Sequence, residues 1–372
     1  MRFLSTLIAS ALISFGNAAA IARGDVPPVP QTQYDAIIVG GGPAGLAALS
    51  GLARVRRNAL LIDSGEYRNA PTRHMHDVPG FDGVTPAYYR WAARKQLSYY
   101  DTIKMENGTV TDIKPRGENT WFSVTVEYGY KQKKTLTARK IVLATGLRDI
   151  LPHTPGVEEA WGKGIFWCPW CDGHEHADQP LGLLGPLEKV AGMDLPKWEA
   201  YLNLHNVTVD NRTITEIERV SEGANEHADP SLPSVPENDW FNVKFDKGEP
   251  VGRAAFLASF PDEQRSDVGE KAGVQLWGGR LAANQSAGLV TNIPGIYAVG
   301  DANSDNVTNV PHALFSGKRT AVFLHVKLER EDQAVELAGE PAKRDTHLQA
   351  RDVWETMNGK RGDLLYAGEF EQ

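Results

Sequence analysis

The chain has 372 residues, 41% of them hydrophobic, and a net charge of −8. That length accommodates about two domains, each with a core of its own. The acidic balance argues against a phosphate-neutralising surface, so nucleic acid is not expected as a partner and small molecules or proteins are.

Met1-Arg2, an apolar run from Phe3 to Phe15 and then Asn17-Ala18-Ala19-Ala20 give a charged start, a hydrophobic stretch and a small-residue cleavage site. This predicts a signal peptide over residues 1–20 and a secreted protein. The run is too short to cross about 30 Å of hydrocarbon, and no later segment is apolar enough, so no membrane span is expected. Five sequons, at Asn107, Asn206, Asn211, Asn284 and Asn306, fit a secretory route and a glycoprotein. Residues 21–33 have linker composition.

The folded part starts near Tyr34. Asp35–Val39 reads as a strand, Leu46, Leu49 and Leu52 mark a helix, and Leu60–Asp63 reads as a second strand. A polar, proline-punctuated stretch runs from Ser64 to Pro86. Tyr88–Tyr100 predicts an amphipathic helix, and Trp121–Tyr128 with Lys131–Ala138 predicts antiparallel strands. Ile141–Gly146 is a buried strand ending in a turn, and Ile296–Asp301 repeats that shape. Between them lies a second module, in which Ser221–Asn238 is a surface loop. His312–Leu328 predicts a helix, and the charged chain after Glu329 a tail. The expected division is a discontinuous domain over 34–153 and 286–330, a central domain over 154–285, and a tail over 331–372.

Gly40-Gly41-Gly42-Pro43-Ala44-Gly45 follows a strand and opens a helix. In that context Gly40 makes the tight turn, Gly42 lets a pyrophosphate approach the backbone, and Gly45 allows the helix to pack on the strand. The helix N-terminus, around Ala44, then faces the phosphates. Asp63 closes the second strand, 18 residues past Gly45, where a carboxylate accepts ribose hydroxyls. The unit predicts a bound dinucleotide.

Cys168 and Cys171, in Cys168-Pro169-Trp170-Cys171, are the chain's two cysteines. A bridge closing so small a loop contributes only roughly 2 kcal/mol through chain entropy, a poor reason for a structural disulfide. A redox role is more economical, with Pro169 and Trp170 restricting the loop. Cys168, Cys171, His174 and His176 also have ligand-like spacing and could hold zinc. Their separations are unusually short for that, and no metal is expected.

Together with Ala144-Thr145-Gly146, Ile296-Tyr297-Ala298-Val299-Gly300-Asp301 and Cys168-x-x-Cys171-Asp172-Gly173, the pattern resembles the thioredoxin reductase-like flavoproteins from Asp35 to Leu328. The resemblance implies an α/β fold with two domains: a Rossmann-like FAD domain, and a smaller nucleotide-binding-like domain that carries the cysteines. It implies FAD as cofactor, with Thr145, Gly146 and Gly300 in its signature turns. Asp301 would hold the ribityl chain, the backbone near Val110 would meet the adenine, and the helix opening Val310-Pro311-His312-Ala313 would point at the N1 and O2 edge of the flavin. It further implies that Cys171 meets flavin C4a, that Cys168 exchanges with substrate, that Asp172 is the neighbouring acid, and that the protein is a homodimer. His312 is a candidate acid–base group, or else touches the cofactor through its backbone alone. His74 and His76 could border the substrate mouth, or pack as loop histidines.

The chain departs from a reductase where NADPH would bind. Pro180-Leu-Gly182-Leu-Leu-Gly185-Pro186-Leu-Glu188 lacks a second glycine motif, no arginine pair follows, and the strand expected at Asn206–Asp210 ends acidic. The pattern looks instead like the fungal dithiol oxidases related to gliotoxin oxidase. Those oxidise a small-molecule or protein dithiol and pass the electrons to O2, giving H2O2. The alternatives are an NADPH-dependent disulfide reductase and a non-enzymatic FAD- or zinc-binding protein.

Overall fold

The computed structural model describes residues 30–185, 195–223 and 237–339. The predicted signal peptide, most of the linker, Pro186 and Glu188, most of the Ser221–Asn238 loop and the tail past Gly339 lie outside the described residues.

Strand β1 (Tyr34–Val39) alternates its side chains between two cores. Ala36 and Ile38 join one that contains Leu46, Leu49, Leu52 and Leu324; Ile37 and Val39 join another that contains Phe122, Val124, Val126 and Val268. A strand buried on both faces therefore reads as one unbroken apolar run. Helix α1 (Pro43–Arg54) returns the chain to β2 (Ala59–Asp63), parallel to β1, and helix α2 (Pro86–Leu97) leads to β3 (Ile103–Asn107), parallel to β2. Thr85 caps α2 by accepting the Tyr88 N–H, and Pro86 fills its first turn. The antiparallel pair β4 (Thr109–Arg116) and β5 (Trp121–Tyr128) covers the other face of the sheet.

The two strands expected at Lys131–Ala138 and Ile141–Leu143 are one, β6 (Gln132–Leu143). One of its edges pairs with β1 from Ala138 to Leu143. Its other edge pairs first with β5, up to Ala138↔Phe122, and then with the strand Ile296–Ala298, from Ile141↔Ile296 onward. The order Ile296–Ala298, β6, β1, β2, β3 places a switch point between β6 and β1, where the crossovers diverge and a crevice opens at the carboxyl ends.

The central module holds a parallel three-stranded sheet, with Ala255–Ala258 between Ile165–Phe166 and Leu181–Leu184, and an antiparallel sheet of Ile214–Ser221, Trp240–Phe245 and Val251–Arg253. Trp161, Ile217, Phe241 and Phe256 are buried in its core. The chain enters through Leu147–Asp149 and leaves through Asp262–Gln264, and these two passages pair antiparallel. Residues 265–285, expected in the central domain, pack on the large sheet instead: Val268, Ala272, Val274 and Leu281 belong to its second core. Residues 206–210, expected as a strand, are irregular. The last helix among the described residues runs Val310–Gly339, starting two residues before the expected His312. No helix among the described residues is long and apolar enough to cross a membrane.

Candidate active site

The turn after β1 is tight because Gly40 takes φ +113°, which an L side chain rarely adopts. A Cβ on Gly40 would stand 2.3 Å from Ala144 O, and one on Gly45 would stand 2.0 Å from Gly40 O. Helix and turn can close on each other only with glycine at both places. Gly42 differs: its φ of −72° is ordinary, and a Cβ built there meets nothing within 4 Å. It faces open space at the start of α1, whose N-cap makes no side-chain hydrogen bond.

That space is a cavity of about 320 Å³. Gly40, Gly42, Ala44, Val110, Thr145 and Gly146 line it, as do Gly300, Asp301 and Ala313 from the far end of the sequence. Thr145 Oγ1 is buried there with no hydrogen-bond partner among the described residues. A cradle that a side chain would fill, beside an orphaned hydroxyl, fits the pyrophosphate and polar edges of FAD.

Two expected roles are placed differently. Asp63 does close β2, but it sits behind Gly41: a Cβ there would meet Asp63 Oδ2 at 2.1 Å. Its carboxylate accepts the Gly65 N–H at 3.0 Å, the Tyr67 hydroxyl at 2.6 Å and the Arg94 guanidinium. Ser64 and Glu66, which follow it in the chain, line the cavity instead. His312 also fails to reach the cavity wall. Its Nε2 lies 2.7 Å from Asp305 Oδ2, and its backbone N–H is capped by Asn309 Oδ1 at 2.8 Å, while Pro311 and Ala313 line the cavity. The imidazole is thus held by Asp305 and is not part of the lining that contains the two cysteines.

Cys168 and Cys171 form a disulfide. Both line the same cavity as the glycine turn, with Trp170 and Asp172. Cys168 precedes a single helical turn, Pro169–Asp172, and its Sγ accepts the Cys171 N–H at 3.1 Å. That donor would stabilise a thiolate at Cys168 once the bridge opens. Trp170 is 82% exposed, so the loop presents the pair at the mouth. Burial, with the charges of Glu237 and Glu175, pushes the Asp172 carboxyl up to about 7. A group there exchanges protons in the neutral range. His176 lies against Phe166 with Nδ1 3.2 Å from Gln179 Oε1, and His174 is exposed. No group of three or more His, Cys, Asp or Glu among the described residues is placed to share a metal ion.

Arg68 was not singled out in the sequence, where it is one cation in a polar stretch. It binds Asp149 through Nη2 at 2.6 Å and Nε at 3.1 Å, Asp262 at 3.3 Å and Asp301 at 3.1 Å, and its guanidinium lies 5.3 Å from the Trp167 ring centre. Asp149 and Asp262 belong to the two paired passages, and Arg280 holds Asp262 from the other side with bonds of 2.7 and 2.9 Å. Burial would weaken the charge on Arg68, but Asp149 and Asp301 outweigh it and hold its pKa above the ordinary value. For Asp301 burial wins over Arg68, and its carboxyl is raised.

Residues 34–191 match the family model for pyridine nucleotide-disulphide oxidoreductases. The chain is 40% identical to the protein named probable thioredoxin reductase from Arthroderma benhamiae, over 93% of each chain. It is 31% identical to thioredoxin reductase tcpT from Claviceps purpurea, over 76% of this chain and 90% of that one. Among solved structures it is similar to HlmI, with 29% identity, a TM-score of 0.68 and coverage of 82% of this chain and 95% of that one. It is also similar to an oxidoreductase from Agrobacterium tumefaciens, at 28% identity and TM-score 0.66, covering 80% of this chain and 99% of the other. The chain belongs to the thioredoxin reductase-like family of FAD-binding disulfide oxidoreductases.

Proposed function

We propose that this protein is a secreted dithiol oxidase: it forms a disulfide in a small-molecule or protein dithiol through Cys168 and Cys171, with O2 as final acceptor and H2O2 as product. The observation that carries the reading is the cradle after β1, which opens on the disulfide, beside a central module in which the first described guanidinium past the helix Leu195–Leu204 is already engaged. There the parallel sheet has three strands among the described residues, and residues 206–210, just past the helix Leu195–Leu204, are irregular and add no fourth. Arg212, the nearest cation past that helix, is bound by Asp210 at 2.7 and 3.0 Å, by the Lys247 and Glu249 carbonyls, and over the Phe245 ring. A 2′-phosphate would have to displace that carboxylate.

FAD, when bound, supplies a two-electron acceptor for the cysteine pair. The chain's own residues do the rest. Gly42 and the α1 N-terminus would hold the pyrophosphate, Thr145 and Asp301 the polar edge of the cofactor. A substrate thiolate attacks Cys168, the substrate's second thiol resolves the mixed disulfide, and Asp172 exchanges a proton beside the pair. The N-terminal pattern and the sequons support secretion, and the family resemblance supports a homodimer.

The relatives' names favour a second reading, NADPH-dependent disulfide reduction. Anaerobic titration separates the two. A dithiol should bleach the yellow protein and micromolar NADPH should not, and in air the dithiol should drive oxygen uptake with peroxide formation. Rapid bleaching by NADPH would return the protein to the reductases.

A further inference from the structure

The loop before α2 carries two imidazoles, and its backbone fixes where they go. An antiparallel bridge joins Met75 to Val84: the Met75 N–H donates to Val84 O at 2.9 Å and the Gly83 N–H to Met75 O at 2.8 Å. The segment is therefore extended, and residues two apart share a side. Arg73 is buried on Glu237 and Asp239, and Met75 joins the core behind the sheet. His74 and His76 line the cavity with Cys168 and Cys171, their ring centres 6.5 Å apart.

The partners of the two rings differ. His74 Nδ1 is 2.8 Å from Gly83 O. A carbonyl only accepts, so Nδ1 carries the proton, and in the neutral ring Nε2 carries the lone pair. His76 turns both nitrogens toward carboxylates, Nε2 at 3.3 Å from Glu175 and Nδ1 at 3.7 Å from Asp82. Of the two rings, His74 is the one arranged to receive a proton.

We propose that His74 is the general base that deprotonates the incoming substrate thiol. The inference rests on the reading that Cys168–Cys171 exchanges with dithiols. The substrate S–H gives its proton to Nε2, the sulfur bonds to Cys168 Sγ, and the Cys168–Cys171 bond breaks with Cys171 leaving as thiolate. The second substrate sulfur then displaces Cys168, which takes that sulfur's proton. Two electrons pass from the substrate sulfurs to the enzyme's, and one proton rests on His74. The other charged and titratable groups lining the cavity are His76 and Asp77 on the His74 loop, Glu66 and Arg68 before it, Asp172 beside the cysteines, and Arg265 and Asp301; Asp82 and Glu175 pair with His76.

The test uses the FAD-loaded protein without oxygen and dithiothreitol as probe. The reaction is quenched with iodoacetamide, and alkylated Cys168 and Cys171 are counted by mass spectrometry. At pH 7, H74A should open the disulfide ~100-fold more slowly than wild type. H74N, whose amide still donates to the Gly83 carbonyl, should be equally slow with its FAD retained. Added imidazole should restore H74A, and the defect should vanish above pH ~9.5, where an alkyl thiol ionises unaided. Wild-type rates in both variants at pH 7 would overturn the proposal, as would a defect that neither imidazole nor high pH relieves. A wild-type disulfide that dithiothreitol leaves closed would remove the exchange reading and this one with it. Normal exchange without oxygen uptake would count only against the acceptor.

Discussion

The turn after β1 and the turn after Leu181–Leu184 both stand at the carboxyl end of a strand in a parallel sheet. At the first, Gly40, Gly42 and Gly45 bring a twelve-residue helix against the strand and leave room for phosphate. At the second, Gly185 takes φ +110°, in the left-handed region that favours glycine. The module that holds the second turn carries the cysteines, on a loop that lines the cavity of the first. One scaffold thus serves cofactor binding in one region and substrate exchange in the other, and the two requirements can be separated by mutation.

The largest separation should come from the cysteines. Cys168→Ser or Cys171→Ser should abolish dithiol-driven bleaching while leaving FAD bound. On the proposed assignment only Cys168→Ser keeps a thiolate against the flavin, so long-wavelength absorbance should appear in that variant alone. The reverse pattern would exchange the two roles.

Next comes the join between the regions. Arg68→Ala should lower stability by about 3–5 kcal/mol, because it strips the cation from Asp149 and Asp301 in a buried setting. Denaturant unfolding measures this, and a loss below about 1 kcal/mol would mean that solvent already screens the cluster. Gly42→Trp should reduce FAD retention roughly 100-fold, about 3 kcal/mol, with unchanged circular dichroism, since the backbone at Gly42 is unstrained and only the cradle is filled. Retained FAD would show that this turn does not hold the pyrophosphate.

The smallest effect concerns Asp172. Its folded pKa, about 7, lies above the ordinary 3.8, so the folded state binds the extra proton between those values. Stability from this group is full below pH ~4 and is lost as pH rises through 7. Asp172→Asn should therefore stabilise the protein at pH 8 by roughly 1–3 kcal/mol and change little at pH 4. Equal effects at both pH values would argue that the carboxyl is ionised throughout.

Sequence pattern reached β1, α1, β2, β5 and the glycine turn because each has a strong local signal: a period, a cap or a forbidden backbone angle. It divided β6 because Arg139 and Lys140 interrupt the apolar run, although both are buried and the strand continues through them. The early return to the large sheet at 265–285 leaves no compositional mark. Asp63 and His312 were found as residues but not as orientations, since neither Arg94, 31 positions after the one, nor Asp305, seven before the other, announces its partner. Arg68 was invisible for the same reason: its worth lies in three carboxylates between 81 and 233 positions away.

The cavity wall that begins at Gly40 is completed by Asp301 and Ala313. During synthesis, about 170 residues separate Thr145 from Ala313, on the order of 10–30 s of elongation at ~5–20 residues per second. Through that interval a nascent chain owns the glycine turn but no opposite wall, and the edge of β6 that receives Ile296–Ala298 waits unpaired. The cofactor must therefore meet a nearly finished chain. On the proposal that the chain is secreted and folds in the secretory lumen, FAD would have to be supplied on that side of the membrane.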